Sequence, residues 1–212
     1  MDKYKTTIET YNKSAKSFQD KFMNMDLYHD TYDRFCDMID NRNNDIFEIA
    51  CGPGNITRYL LTKRPDLNIT AIDLSPQMIE LAKINNPTVD FRVMDCREIG
   101  MIEKKFDAIM CGFCLPYLSQ DESVKLIADS YKLLNSNSLI YISTMEGDYE
   151  KSGFETTSFS GQEQVYVHYH QADYLKNRLQ ESGFEDVVLQ CKDYPEQDGS
   201  VTTDMIFIAR KK

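Results

Sequence analysis

From Asp45 onward, short apolar stretches alternate with segments of helical periodicity, and this alternation constrains the fold more than any other feature of the chain. Strands separated by helices pair in parallel, because the crossover helix returns the chain to the edge where it started. Residues 45–50, 67–73, 89–93, 106–111 and 139–143 read as five such strands. Ile56, Tyr59, Leu60 and Leu61 give the first crossover helix, which stops before Pro65. Ser75 and Pro76 cap and open the next, with Met78, Ile79, Leu81 and Ala82 as its apolar face. After Ser119, the residues Val124, Ile127, Ala128, Tyr131 and Leu134 supply the helix that precedes the fifth strand.

The flanking segments complete the plan. Ile8, Tyr11, Ala15, Phe18 and Phe22 recur at steps of three and four, as do Tyr28, Tyr32, Phe35 and Ile39, so two amphipathic helices precede the core. Residues 145–163 are polar and aperiodic, which predicts a mobile excursion over the strand ends. Residues 164–168 alternate like a strand, and 172–182 form a helix stopped by Gly183. Residues 187–191 and 205–209 make a closing pair joined through Tyr194 and Gly199, a connection too short for a helical crossover, so the last strand runs antiparallel.

A chain of 212 residues suffices for one sizeable core, and the reading is a single domain over 1–212: a helical lid at 1–43 and an α/β core at 44–212, with 145–170 as a substrate-side excursion. A hydrophobic fraction of 42% against 27% charged residues is that of an ordinary globular protein. The net charge of −10 repels phosphate backbones and anionic lipid, so neither nucleic acid nor membrane is expected as a partner. With no apolar signal core near Met1, a cytoplasmic location is expected, as monomer or homodimer. Several of the six cysteines lie in apolar runs, which suits packed, reduced thiols. Cys111 and Cys114 form a Cys-x-x-Cys, but Leu115 and Pro116 follow at once and bar the helix that a redox motif of this kind opens. His168 and His170 would share one strand face, yet no third ligand stands in register, so no metal is expected.

The chemistry concentrates at the end of the first strand. Glu48 leads into Ala50-Cys51-Gly52-Pro53-Gly54-Asn55, and Asp73 closes the second strand. Glycines let backbone approach a ligand with no Cβ between, and a turn that opens a helix presents free N–H groups to an anion. Two carboxylates beside that turn favour cations and hydroxyls instead, and no Lys or Arg stands between Asp45 and Thr57 to offset them. The expected ligand carries little phosphate and some positive charge. A nicotinamide dinucleotide would bring its pyrophosphate against Glu48, and its fingerprint needs a small third residue where this chain has Thr57.

The turn from Glu48 to Gly54, Asp73 with Ser75-Pro76 and Met78 after it, Asp95-Cys96 after the third strand, and Cys111 with Phe113 to Tyr117 after the fourth stand in register at successive strand ends. In this the chain resembles the class I S-adenosylmethionine-dependent methyltransferases along nearly its whole length. The resemblance implies a Rossmann-like α/β fold: a seven-stranded, mostly parallel sheet with an antiparallel last strand, helices on both faces and an N-terminal helical lid. It implies S-adenosylmethionine as methyl donor, S-adenosylhomocysteine as product and a small-molecule acceptor. Residues Ala50 to Gly54 would then lie against the methionine part of the donor, Asp73 would take the ribose hydroxyls, and Leu74 and Met78 would flank the adenine. Asp95 and Cys96 would meet the adenine amino edge, Cys111 and Gly112 the ammonium, and Phe113 the transferred methyl. Tyr11 and Phe18 on the lid helix resemble pocket-lining residues of the family. Ala50 stands where the family often has glycine, so a slightly wider turn is expected. Tyr117, His168 and His170 are the candidate bases. A nicotinamide-dinucleotide oxidoreductase and a non-catalytic S-adenosylmethionine-binding regulator are the competing readings, since function on such folds lives in the substrate site.

Overall fold

The computed structural model describes residues 2–40, 44–196 and 199–212. Two helices, α1 (Lys3–Phe22) and α2 (His29–Met38), precede a sheet whose first five strands are β1 (Asp45–Ile49), β2 (Asn68–Asp73), β3 (Asp90–Val93), β4 (Phe106–Gly112) and β5 (Leu134–Met145). Helices α3 (Asn55–Lys63), α4 (Pro76–Asn85) and α5 (Gln120–Leu133) make the crossovers, and a 3₁₀ segment, Cys96–Met101, joins β3 to β4. A hairpin of β6 (Gly153–Thr156) and β7 (Gln164–Val167) stands apart from the main sheet. Helix α6 (Ala172–Glu181) and the long strands β8 (Phe184–Pro195) and β9 (Val201–Lys211) close the chain.

The sheet has seven strands in the order β3-β2-β1-β4-β5-β9-β8. Pairings among β1 to β5 are parallel, and β9 inserts antiparallel between β5 and β8. Crossing over from β1 outward in both directions leaves a crevice where the order reverses, at the carboxyl edge beside β1 and β4.

Apolar side chains pack on both faces of this sheet. Phe47, Ile49, Phe106, Ile109, Leu126 and Phe184 build one core. Phe35, Ile46, Leu60, Ala108, Met110 and Tyr141 build the other, where α2 docks through Tyr32, Phe35 and Cys36. The periodic stripe of the second predicted helix is therefore its core face. Local signals match the ends of elements: the Ser75 hydroxyl accepts from Met78 N–H, Ser119 and Glu122 form a reciprocal capping box on α5, and Gly183 takes φ 99° just past α6.

Two expectations differ from the fold. Residues 145–163, expected as a mobile excursion, hold regular structure: a short 3₁₀ turn, Tyr149–Lys151, and β6, which pairs antiparallel with β7. The pairing was hidden because β6 alternates around small and polar residues with no apolar run to mark it. Both β8 and β9 also extend well beyond the five-residue stretches expected, since charged and polar residues on their solvated faces interrupt the apolar pattern without interrupting the ladder.

Helix α1 lies across the carboxyl edge and is stitched to the hairpin. Thr10 Oγ1 donates to Gln164 O at 2.7 Å, Tyr166 N–H donates to Thr7 Oγ1 at 3.0 Å, and Lys13 pairs with Glu163. These contacts explain why Thr7 and Thr10, rather than apolar residues, are buried on that side of α1.

Phe47 stacks on Phe106 with centroids 4.8 Å apart, and Phe47 is fully buried. Phe47→Ala is expected to cost about 3–5 kcal/mol of stability through lost burial and a residual cavity, measured as a lower midpoint in urea unfolding.

Candidate functional site

The turn after β1 is built from left-handed backbone. Ala50 has φ 58°, Gly52 54° and Gly54 79°, and Gly54 caps α3. Ala50 thus adopts the conformation a glycine would; Cys51 N–H donating to Ile72 O at 3.0 Å holds the chain in place on its far side. A Cβ on Gly54 would strike the side chain of Asn86, whose Nδ2 donates to the Gly54 carbonyl at 3.0 Å. Asp73 clamps the same turn: its carboxylate accepts from Gly52 N–H at 2.9 Å and from Ser75 N–H at 2.8 Å. Phe113, beyond β4, is also left-handed at φ 51° and is fixed by its N–H donating to the carbonyl and hydroxyl of Ser143 at 3.0 and 3.1 Å. Strain of this kind persists only where the surroundings over-determine it, and here it sits on both sides of the crevice.

The crevice has a volume of about 840 Å³, toward the upper end of small-molecule pockets. Ala50, Cys51, Gly52 and Asn55 form one wall, with Gly112 and Phe113 beside them. Tyr11 and Phe18 reach in from α1, and Tyr28 and Tyr32 from the start of α2. Tyr11 sits 5.8 Å from Phe18 and 5.4 Å from Phe159 between ring centroids, and its hydroxyl contacts that of Tyr117. The hairpin contributes Glu155, Val165 and Val167, with Tyr169 just after it, and β9 contributes Asp204.

The remaining expected residues stand elsewhere. Glu48 is buried under the turn, Pro53 and Gly54 are buried within it, and Cys111 is enclosed within β4. Asp73, Leu74, Met78, Asp95 and Cys96 lie beyond the open space, on the side that α1 covers. Asn12 on α1 accepts from the Ser75 hydroxyl at 2.6 Å. The Asp95 carboxylate is paired with the Arg97 guanidinium at 2.6 Å, and that guanidinium lies 4.3 Å from the centroid of Tyr4. The sulfurs of Cys96 and Cys114 are 3.6 Å apart, and all six cysteines are free thiols.

His168 and His170 do not line the crevice, contrary to the sequence-based expectation that the segment leads them to it. Val165, Val167 and Tyr169 face inward, so the residues between them face the other way. His168 is 3% exposed, stacks on Tyr149 and accepts from the Lys3 ammonium at 3.1 Å. Burial, with Lys3 adding to it, pushes its pKa down to about 4. His170 is fully buried and its Nε2–H donates to the Leu115 carbonyl at 3.1 Å, while burial lowers its pKa as well. Tyr117 does reach the crevice, but burial raises its phenol to about 12.

Electrostatically the site is acidic and only partly satisfied. Glu48 is 1% exposed; its Oε2 accepts from the Thr57 hydroxyl at 2.6 Å while Oε1 has no partner, and burial pushes its pKa up to about 8. Asp73 is raised for the same reason. Asp204, 3% exposed, accepts from the Tyr28 hydroxyl at 2.6 Å and is raised by burial to about 6. Sequence reasoning missed Asp204 because it stands one residue before the apolar run 205–209 and read as a loop boundary; the missed signal is its strand partner, Met145, at the carboxyl end of β5. Glu155 and Tyr169 were missed with the hairpin itself.

Residues 46–137 match a sequence profile described as a methyltransferase domain. A stretch of 68 residues is 40% identical to a malonyl-[acyl-carrier protein] O-methyltransferase of Acetivibrio thermocellus, covering 31% of this chain and 24% of that protein. The chain spans about half the length, or less, of the curated relatives it matches. Among solved structures, magnesium protoporphyrin IX methyltransferase of Synechocystis PCC 6803 with bound S-adenosylhomocysteine superposes with a TM-score of 0.73 at 13% identity, covering all of both chains. The 1,6-didemethyltoxoflavin-N1-methyltransferase of Burkholderia thailandensis gives 0.70 at 19% identity over 99% of this chain and 88% of that one. At such identities these two likenesses show the fold alone. The 3-2-1-4-5 sheet with its inserted antiparallel strand and the acid-flanked glycine turn at the switch point give the chain the fold of the class I S-adenosylmethionine-dependent methyltransferases, and residues 46–137 match a methyltransferase domain.

Proposed function

We propose that this protein transfers the methyl group of S-adenosylmethionine to a small-molecule acceptor. The observation that carries this reading is one continuous crevice running from the glycine turn, past Phe113, to a space walled by aromatic rings and roofed by α1 and the hairpin. The residues fit such a donor. Left-handed Ala50 and Gly52 bare backbone toward it, with Pro53, Gly54 and Asn55 completing the turn. Buried Glu48 and Asp73 suit a ligand that brings positive charge and hydroxyls. Residues Ala50 to Asn55 would hold the methionine part and Asp73 the ribose, with Gly112 and Phe113 at the reacting end. Leu74, Met78, Asp95 and Cys96 would enclose the adenine once α1 makes room, and Cys111 would support the strand end from within.

The donor supplies a methyl group already activated on a sulfonium. The chain's own part is to exclude water and to hold the acceptor in line, which is where most of the rate in a displacement of this kind originates. The aromatic walls and the roof of α1 serve both ends. A pyridine dinucleotide is disfavoured, because its phosphates would lie toward Asp73 with no described Lys or Arg on the turn to receive them.

Titration calorimetry tests the reading directly. S-adenosylhomocysteine is expected to bind and NAD not to, and the opposite pattern defeats the proposal. Asp73→Asn is expected to weaken S-adenosylhomocysteine about 10- to 100-fold, the range for hydrogen bonds to a charged group.

Glu48 generates a pH dependence whose sign is fixed by its raised pKa. In the unfolded chain it titrates near 4.3, so the stability tied to its neutral form is fully present below that pH and is lost as pH rises through about 8. Between these limits stability is expected to fall by up to about 1.4 kcal/mol per pH unit from this group, and Glu48→Gln to flatten the slope in urea unfolding between pH 5 and 8.

A further inference from the structure

The acceptor end of the crevice has a chemistry of its own, and this inference rests on the methyltransferase reading above. Three carboxylates line it: Glu155, Glu196 and Asp204. Each accepts from a neutral hydroxyl, Tyr169 to Glu155 at 2.8 Å, Thr202 to Glu196 at 2.8 Å and Tyr28 to Asp204 at 2.6 Å. Among the described residues none of the three is in an ion pair with Lys or Arg, whereas Asp95 is paired with Arg97 and buried Asp129 with Lys125 and Lys132. Arg58 is the lone Lys or Arg side chain among the lining residues described, and its guanidinium is spent on Met23 O and Asn24 Oδ1.

Asp204 is the deepest of the three. The groups that face it are Tyr28 from the segment before α2, Tyr32 on α2, Tyr141 on β5 and Tyr194 and Glu196 at the end of β8; Lys192, opposite Asp204 in the β8–β9 register, has its ammonium engaged by Asp30 at 2.7 Å instead. Rings surround the carboxylate, with Tyr28 lying 5.2 Å from Phe113 and 6.4 Å from Tyr32. A buried carboxylate with no counter-ion, set among aromatic faces, is the arrangement that attracts an ammonium group, through ion pairing on one side and ring quadrupoles on the others. A carboxylate or phosphate acceptor would meet three like charges there.

We propose that the methyl acceptor is an amine, bound as its ammonium form against Asp204 between Tyr28, Tyr32 and Phe113, and that Asp204 accepts the proton that frees the nitrogen to attack. In that step one N–H bond of the ammonium breaks, its electron pair stays on nitrogen, and the proton passes to an Asp204 oxygen. The nitrogen pair then forms the new N–C bond while the S–C pair returns to sulfur, leaving a thioether and a methylated ammonium; Asp204 afterwards releases its proton to solvent. Burial, which holds the Asp204 carboxyl at about 6, suits a group that must be ionised near neutrality and still take up a proton.

The experiment is calorimetry on the full chain saturated with S-adenosylhomocysteine, using benzylamine and N-methylphenethylamine as probes, with phenylacetate and phenol as uncharged or anionic counterparts. The amines are expected to bind at least 10-fold more tightly than phenylacetate. Asp204→Asn, which keeps shape and the Tyr28 contact, is expected to weaken the amines at least 10-fold, to leave phenol within 2-fold and to leave S-adenosylhomocysteine within 2-fold, the last showing that the variant is folded. Proton release on amine binding near pH 6, where Asp204 is still partly protonated before the ammonium arrives, read from the dependence of the heat on buffer ionisation enthalpy, is expected in the wild type and absent in the variant. Amines binding no better than phenylacetate, or equally to wild type and Asp204→Asn, overturn the proposal. Failure of the wild type to take up S-adenosylhomocysteine, with amine binding intact and lost in Asp204→Asn, would defeat the donor assignment and leave Asp204 as an ammonium site.

Discussion

The bond from the Gly52 N–H to the Asp73 carboxylate sets the form of the entire edge. It ties the turn after β1 to the end of β2, and through Ser75 N–H the same carboxylate begins α4. Left-handed Ala50 and Gly54 are tolerable because that clamp and the Asn86 amide hold the loop on opposite sides. The two central crossovers thus part at a fixed opening. Everything in the crevice is measured from it, including the distance between the bared turn and the strained Phe113 across β4.

Much of this was legible in the sequence. The parallel core, the order of elements and the antiparallel close followed from where helical periodicity gave way to short apolar runs, and the turn announced itself through Gly52 and Gly54 between two acids. What was not legible depended on contacts far apart along the chain. Strand β6 carries no apolar run, so only its pairing with β7 identifies it. His168 and His170 looked like a shared reactive face, yet alternation fixes only that they share one; the inward face belongs to Val165, Val167 and Tyr169. Asp204 was hidden by its place at the margin of a strand, where an acid ordinarily marks solvent.

The crevice divides by character. The turn side is backbone and small residues, shaped for a ligand brought very close; the far side is rings and carboxylates, shaped for charge and for flat or apolar bodies. Glu48 and Asp204 are both held above the usual carboxylate range by burial, one beneath each half. Neither is balanced by a described cation of the chain. Acidity without counter-ions carries a cost in folding that a positively charged guest relieves, so the protein should be firmest when occupied.

The stitching between α1 and the hairpin has a kinetic meaning. Thr7, Thr10 and Lys13 grip residues 163–166, so the helix above Asp73 and the roof above Glu155 cannot travel independently. Lifting either one drags the other. The molecule consequently has a single shutter for two compartments, so that uncovering the glycine-turn half and uncovering the carboxylate half are one event.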